Sequence, residues 1–175
     1  RFGALRCKDA LVDYARESTE WDARPEPKAP QLRISARLHR DKVELALDLS
    51  GESLHRRGYR TGSGEAPLKA NLAAACLRKA GWNGAIDETA ALIDPMCGSA
   101  TLLIEGALLA LDQAPALGRH EFAFKHWIDH DEQQWTAIRA EAESRARAGR
   151  ERPMPEIRGY DADPKVIAKA QQNIA

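Results

Sequence analysis

No stretch of this chain approaches the ~18 consecutive apolar residues that a membrane-crossing helix requires, so no membrane partner is expected. The start carries no basic leader with an apolar core: Arg1-Phe2-Gly3 is soon followed by Lys8 and Asp9. The first residue is not Met, as expected of a piece of a longer protein. Cysteine is scarce. Cys7, Cys76 and Cys97 stand far apart and are odd in number, which argues against a disulfide framework, and no C-x-x-C pair offers metal ligands. Reduced thiols in a cytoplasmic protein are the plain reading. Excess charge is missing too: 26 basic residues balance 26 acidic ones. Any footprint for nucleic acid must therefore be local. No G-x-x-x-x-G-K-[ST] segment occurs, and the glycines are too sparse for a dinucleotide fingerprint, so a triphosphate-binding loop is excluded. Internal repeats and low-complexity tracts are also absent.

What remains is a composition typical of a folded domain, 43% hydrophobic and 30% charged. Residues 4–17 place Leu5, Ala10, Leu11 and Tyr14 near one face of a short helix. After a Pro-rich loop over 22–30, two alternating runs follow, Leu32-Ile34-Ala36-Leu38 and Val43-Leu45-Leu47-Leu49. Joined near Arg40-Asp41, they predict a hairpin with one buried face. A Gly-rich connector, 51–64, leads to a helix that starts at Pro67 and stops at Ala80, with Gly81 as its cap. A strand over 91–94 and a helix over 101–111 come next. Residues 112–134 read as irregular, and their aromatics (Phe122, Phe124, Trp127), with Trp135, as a small local core. His126 and His130 are four apart but lack a carboxylate or Cys to complete a metal site, so no metal is expected. A charged helix over 134–148, a strand over 156–161 and a helix from Pro164 close the chain. Strands alternating with helices predict α/β architecture with parallel strands and crossovers.

The chemistry concentrates in Asp94-Pro95-Met96-Cys97-Gly98-Ser99-Ala100-Thr101, a tight turn of small residues between a strand and a helix. Such a turn admits a ligand close to the backbone and the helix N-terminus. An acid at the strand tip favours a ligand bearing a cation or hydroxyls over a pyrophosphate. S-adenosylmethionine fits, with its sulfonium and amino group. Asp94 is alternatively a helix N-cap. Asp161, with Ala162 beside it, ends the next strand, where a carboxylate accepts both hydroxyls of a ribose; the competing reading is an N-cap before Pro164. Cys97 has no neighbouring base to form a thiolate and reads as packing. Glu105 either folds back onto the turn or is solvated surface. Arg56, Arg57 and Arg60 with Tyr59 between them form the one dense basic-aromatic cluster, suited either to RNA or simply to solubility.

The segment D-P-M-C-G-S-A-T-L-L-I-E, together with L-D-L-S-G-E-S-L-H-R-R-G-Y-R (47–60) and A-P-L-K-A-N-L-A-A-A (66–75), resembles the bacterial 23S rRNA guanine-N2 methyltransferases. The likeness is to the first methyltransferase half of their long fused form, and three motifs occur in the family's order. It implies a partial class I, Rossmann-like, S-adenosylmethionine-dependent fold over 65–175, preceded by the C-terminal part of an RNA-binding THUMP domain over 1–50 and a linker over 51–64. It implies S-adenosylmethionine on residues 94–101, Asp161 and Ala162, and 23S rRNA as partner, with Arg56, Arg57, Tyr59, Arg60 and Lys69 as contacts. The family's Asn-Pro-Pro-Tyr loop, which accepts the reacting N–H bonds, has no counterpart in these 175 residues, so no catalytic residue is assigned and the chain alone is expected to be inactive. Ala100 stands where the family usually has glycine; its methyl either crowds the cofactor or fills space at the helix–strand contact. A tRNA or DNA amino-methyltransferase and a non-catalytic RNA-binding module are the rival readings. Open strand edges further predict self-association.

Overall fold

The computed structural model describes residues 2–20, 24–61, 68–82 and 89–175. The chain divides into two compact units, one of residues 1–51 with 121–130, the other of 52–120 with 131–175.

The first unit opens with α1 (Phe2–Ser18). None of its residues is buried, and Leu5 and Tyr14 lie largely in solvent, so its apolar face is only partly covered, at Leu11. The hairpin follows as β1 (Arg33–His39) and β2 (Lys42–Asp48), antiparallel. Its register places Ile34 opposite Leu47, Ala36 opposite Leu45 and Leu38 opposite Val43, while Arg33 faces Asp48 and Arg37 faces Glu44. Period-2 alternation thus gives one apolar face and one carrying mostly charged and polar residues. The expected burial of the apolar face does not occur: Ile34, Leu38, Val43 and Leu45 are all exposed. Two strands give apolar side chains only lateral neighbours, and burial needs another layer on top. The turn takes positive φ at both Arg40 (48°) and Asp41 (57°), the geometry that matches the twist of a two-residue hairpin loop. Segment 121–130 joins this unit, with the Phe124 N–H donating to the Leu49 carbonyl at 2.9 Å. The expected aromatic core is met in part: Phe122 stacks on Phe124 with centroids 5.1 Å apart, and His130 tilts against Phe124 at 5.6 Å, while Trp127 is exposed and Trp135 belongs to the second unit. One 3-10 turn, Ala123–His126, interrupts an otherwise irregular path.

The second unit holds α2 (Ala70–Lys79), β3 (Ala91–Asp94), α3 (Thr101–Ala110), α4 (Glu132–Arg150), β4 (Glu156–Gly159) and α5 (Pro164–Ile174). The helix start expected at Pro67 lies outside the described residues. At the other end of α2, Gly81 takes φ 87° one residue beyond the cap; the Trp82 N–H reaches back to Leu77 and the Gly81 N–H to Arg78, which satisfies the terminal carbonyls. Strands β3 and β4 pair in parallel, Ala91 with Glu156 through Asp94 with Gly159. Leu92, Ile157 and Gly159 point to the face covered by α3, where Cys97, Ala100, Leu103 and Ala170 form the core with Ile104 and Ile167 against it. Ile93 on the other face is 59% exposed. Close approach is built in by glycine. A Cβ at Gly159 would meet Leu103 and the Cys97 side chain, and one at Gly106 would strike Leu92. The Trp82 indole N–H ties α2 to α3 through the Gly106 carbonyl at 2.9 Å.

Candidate functional site: the turn between β3 and α3

Both strands of the parallel pair end at the same level, and their C-terminal tips are stitched together. The Tyr160 N–H donates to the Asp94 carbonyl and the Cys97 N–H to the Tyr160 carbonyl, each at 2.8 Å. One Asp161 carboxylate oxygen accepts the Gly98 N–H at 3.0 Å, and the other accepts the Asp163 N–H at 3.0 Å. These backbone bonds hold the Asp161 carboxyl below the ordinary carboxylate range, so it is ionised at neutral pH. Two residues 67 apart in sequence (161 − 94) thereby flank one turn. A carboxylate offers about four acceptor positions, which leaves room for ribose hydroxyls beside the two backbone donors.

The capping alternatives for both acids fail. The N-cap of α5 is Asp163, which accepts the Lys165 N–H at 2.8 Å, not Asp161. The N-cap of α3 is Ala100, not Asp94, and its methyl can accept no N–H from the first turn. Asp94 instead accepts the Met96 N–H at 3.1 Å and so shapes the turn at its start. Gly98 takes φ 54°, and a Cβ there would meet nothing within 4 Å, so the turn has open space above it. Pro95 and Met96 are exposed, Ser99 and Thr101 buried, and Ala162 lies exposed at the β4 tip.

Cys97 is buried, and its thiol is pushed up from its ordinary value, first by burial and then by the Asp94 and Asp161 carboxylates. A thiol so placed in the core beside Leu103 and Ala100 disfavours the thiolate that a nucleophile needs. The same carboxylates make the site locally negative, which favours a cationic or hydroxyl-bearing ligand.

Ala100 is fully buried in the core with Leu103 and Ala170, so its methyl packs between helix and strand. Sequence reasoning missed its backbone: φ 64°, ψ 20°, in the left-handed region. That conformation costs an L-residue roughly 1–2 kcal/mol, a cost that glycine would not incur.

The basic cluster is mostly turned inward. The Arg57 guanidinium donates to Glu105 from Nε at 3.3 Å and Nη2 at 3.4 Å, and the Tyr59 hydroxyl donates to the same carboxylate at 3.1 Å. Glu105 is 2% exposed; neither folded onto the turn nor solvated, it anchors residues 57–59 onto α3. The Arg60 Nη2 donates to the Leu68 carbonyl at 2.8 Å and to the Thr101 hydroxyl at 2.7 Å. Arg56 stays exposed, four residues from Glu52, and Lys69 is exposed at the N-cap of α2. Among the described residues, no group of three or more His, Cys, Asp or Glu is placed to hold a metal, and no helix is long and apolar enough to cross a membrane.

Asn173 was not legible as a site residue. It sits in the last turn of α5, 5% exposed, and its side-chain NH2 donates to the Ser99 carbonyl at 3.0 Å. A lone Asn in an amphipathic helix carries no signal in sequence.

A parallel β-α-β unit with a small-residue turn at the strand tips and a carboxylate on the neighbouring tip is the nucleoside-binding arrangement of open α/β folds. The chain belongs to the RMKL-like methyltransferase domain family, whose profile matches residues 57–175. It is 49% identical over 175 residues to a ribosomal RNA large subunit methyltransferase K/L of Cellvibrio japonicus (strain Ueda107), and 51% identical to one of Ectopseudomonas mendocina (strain ymp), with 99% of this chain covered in each case. It spans 23% and 24% of those relatives' lengths, about a quarter. The fold is that of α/β methyltransferases. SMU.472, a candidate methyltransferase solved in complex with SAH, superposes with a TM-score of 0.74 at 33% identity, over 95% of this chain and 42% of that one. A Listeria monocytogenes str. 4b F2365 protein, assigned by prediction as an N6-adenine-specific DNA methylase, superposes at 0.75 and 34% identity, over 95% and 42%.

Proposed function

We propose that residues 94–101 with Asp161 and Ala162 bind S-adenosylmethionine, and that the protein containing them methylates the exocyclic N2 amine of a guanine in 23S rRNA in the cytoplasm. The observation that carries the reading is the Gly98–Asp161 bond, which joins the turn and the neighbouring strand tip into one site with two carboxylates around open space. The K/L relatives and the SAH-bound neighbour support it, because SAH is the demethylated product of S-adenosylmethionine.

Bound S-adenosylmethionine supplies an electrophilic methyl on a sulfonium. The chain's part is to bind and orient. Asp161, ionised, accepts the ribose hydroxyls. The turn's backbone and the N–H groups opening α3, which Ala100 cannot cap, receive the carboxylate of the methionine portion. Asp94 attracts its ammonium group. Alignment of methyl and acceptor then accounts for most of the acceleration. These 175 residues hold no Pro-Pro pair to accept proton density from the amine, so they form the cofactor side of the reaction. Arg56 and Lys69 remain outward-facing RNA contacts; Arg57, Tyr59 and Arg60 brace α3. Residues 1–50 are proposed as the C-terminal part of a THUMP domain.

Calorimetric titration of the chain with S-adenosylmethionine tests the cofactor reading: a saturable heat is expected, lost in Asp161→Ala. A heat that Asp161→Ala leaves intact would contradict the assigned site. For substrate, large-subunit RNA treated with a longer protein containing these residues is digested and its nucleosides weighed. N2-methylguanosine is expected; N6-methyladenosine would overturn the guanine assignment.

A further inference from the structure

The turn is strained where it enters α3, and something outside it must hold the strain, since such conformations persist only where their surroundings over-determine them. The peptide joining Ser99 to Ala100 is held at both ends. Its N–H donates to the Cys97 carbonyl at 2.8 Å, a bond internal to the turn. Its carbonyl accepts from Asn173 Nδ2 at 3.0 Å, a bond from another element 74 residues away. The orientation of that amide is fixed by its other end. Asn173 Oδ1 accepts the Thr61 N–H at 2.9 Å and the Thr61 hydroxyl lies 3.2 Å from it, so the NH2 group has to face Ser99. Arg60, next in the same segment, pins Thr101 immediately beyond the strained residue.

We infer that Asn173 is a positioning residue for the cofactor turn: it holds the Ser99–Ala100 peptide in the left-handed entry to α3, with its amide oriented by residues 60–61. It touches no reacting atom. It acts through the backbone whose N–H groups open α3. The inference rests on the cofactor reading above only for its effect on binding. The strain at Ala100 is what makes the clip necessary, because glycine would adopt φ 64° without outside help.

The test compares Asn173→Ala in two backgrounds, the present chain and Ala100→Gly. In the present chain, Asn173→Ala should weaken S-adenosylmethionine binding about tenfold and accelerate hydrogen exchange at the Ala100 amide by a similar factor, the equivalent of one buried hydrogen bond. In the Ala100→Gly background, both changes should shrink to about twofold or less. Leu77→Ala, a cavity in α2, should leave the affinity unchanged although it lowers stability. Equal losses of affinity in both backgrounds would reduce Asn173 to a generic buried residue and overturn the inference. So would unchanged affinity and exchange in Asn173→Ala. Should the unsubstituted chain show no binding heat, the cofactor reading falls instead, and the exchange measurement alone decides on Asn173. If Asn173→Ala does not fold, Asn173→Asp keeps the acceptor for Thr61, removes the donor to Ser99, and is held to the same outcomes.

Discussion

Replacing Glu105 with alanine should cost this chain about a third of an ordinary domain's stability. The carboxylate is 2% exposed in the interior face of α3 and is shared by Arg57 and Tyr59. The Arg57 side chain is itself only 11% exposed, and its other bond runs to the Leu54 carbonyl at 3.2 Å. Removing one member of a buried ion pair costs about 3–5 kcal/mol, because the remaining charge is left uncompensated. Here the Arg57 contacts, at 3.3 and 3.4 Å, are longer than the ~2.8 Å of the strongest charge-assisted bonds. The lower end, about 3 kcal/mol, is therefore expected, out of the 5–15 kcal/mol typical of a domain. Glu105→Gln keeps the volume and an acceptor for Tyr59 while losing the charge, and should cost about half as much. In a Tyr59→Phe background, which removes the hydroxyl that would otherwise lose its acceptor, Arg57→Met combined with Glu105→Leu should recover to within about 1 kcal/mol of that background, since an apolar pair needs no compensation. Urea unfolding at neutral pH, monitored by circular dichroism, gives these values, with Arg57→Met and Glu105→Leu also measured singly in the Tyr59→Phe background. A loss below about 1 kcal/mol for Glu105→Ala, or additivity of the two single changes, would refute the account of a buried, coupled pair.

The Tyr59 hydroxyl is pushed well above its ordinary value, chiefly by burial and then by the Glu105 charge. A group whose folded value is raised stabilises below its unfolded value, near 10, and loses that contribution as pH climbs toward the folded one. Unfolding free energy should therefore drop above pH ~10, and Tyr59→Phe should flatten that drop, as read from urea midpoints between pH 8 and 11. Cys97, buried and held as the neutral thiol, should resist iodoacetamide at pH 7.5 while exposed Cys76 reacts, as peptide mass spectrometry would show; equal labelling would contradict the burial argument. Gly149→Ala should destabilise by about 1–3 kcal/mol, although helix propensity alone favours alanine by about 1 kcal/mol, because the new Cβ would fall on the Leu111 carbonyl oxygen, which is backbone and cannot turn aside. Finally, the edges of β3 and β4, open among the described residues, and the exposed hairpin face predict association; light scattering giving a concentration-independent mass of 19.3 kDa would reject it.

The sequence by itself determined the elements and the small-residue turn between β3 and α3, because both are local. Alternation fixed β1 and β2, a strand–turn–helix pattern of small residues fixed 94–101, Pro164 after Asp163 opened α5, and Gly81 closed α2. The position of Asp161 just past the end of β4 was legible from the strand pattern; its bond to the Gly98 N–H, 63 residues away, was not. What the residue types could not tell was which partner each polar group would choose. Arg57, Tyr59 and Arg60 look identical in sequence whether they face RNA or, as here, Glu105 and Thr101; the choice depends on α3 passing beneath them, 46 to 48 residues further along the chain for Tyr59 and Arg57. The backbone of Ala100 and the role of Asn173 are of the same kind. A left-handed alanine is unfavourable locally, and only packing against Leu103 and Ala170, with an amide delivered from α5, makes it the conformation adopted. Burial of the hairpin's apolar face failed for the converse reason: a pattern states which face would be buried, but only another layer of chain can bury it.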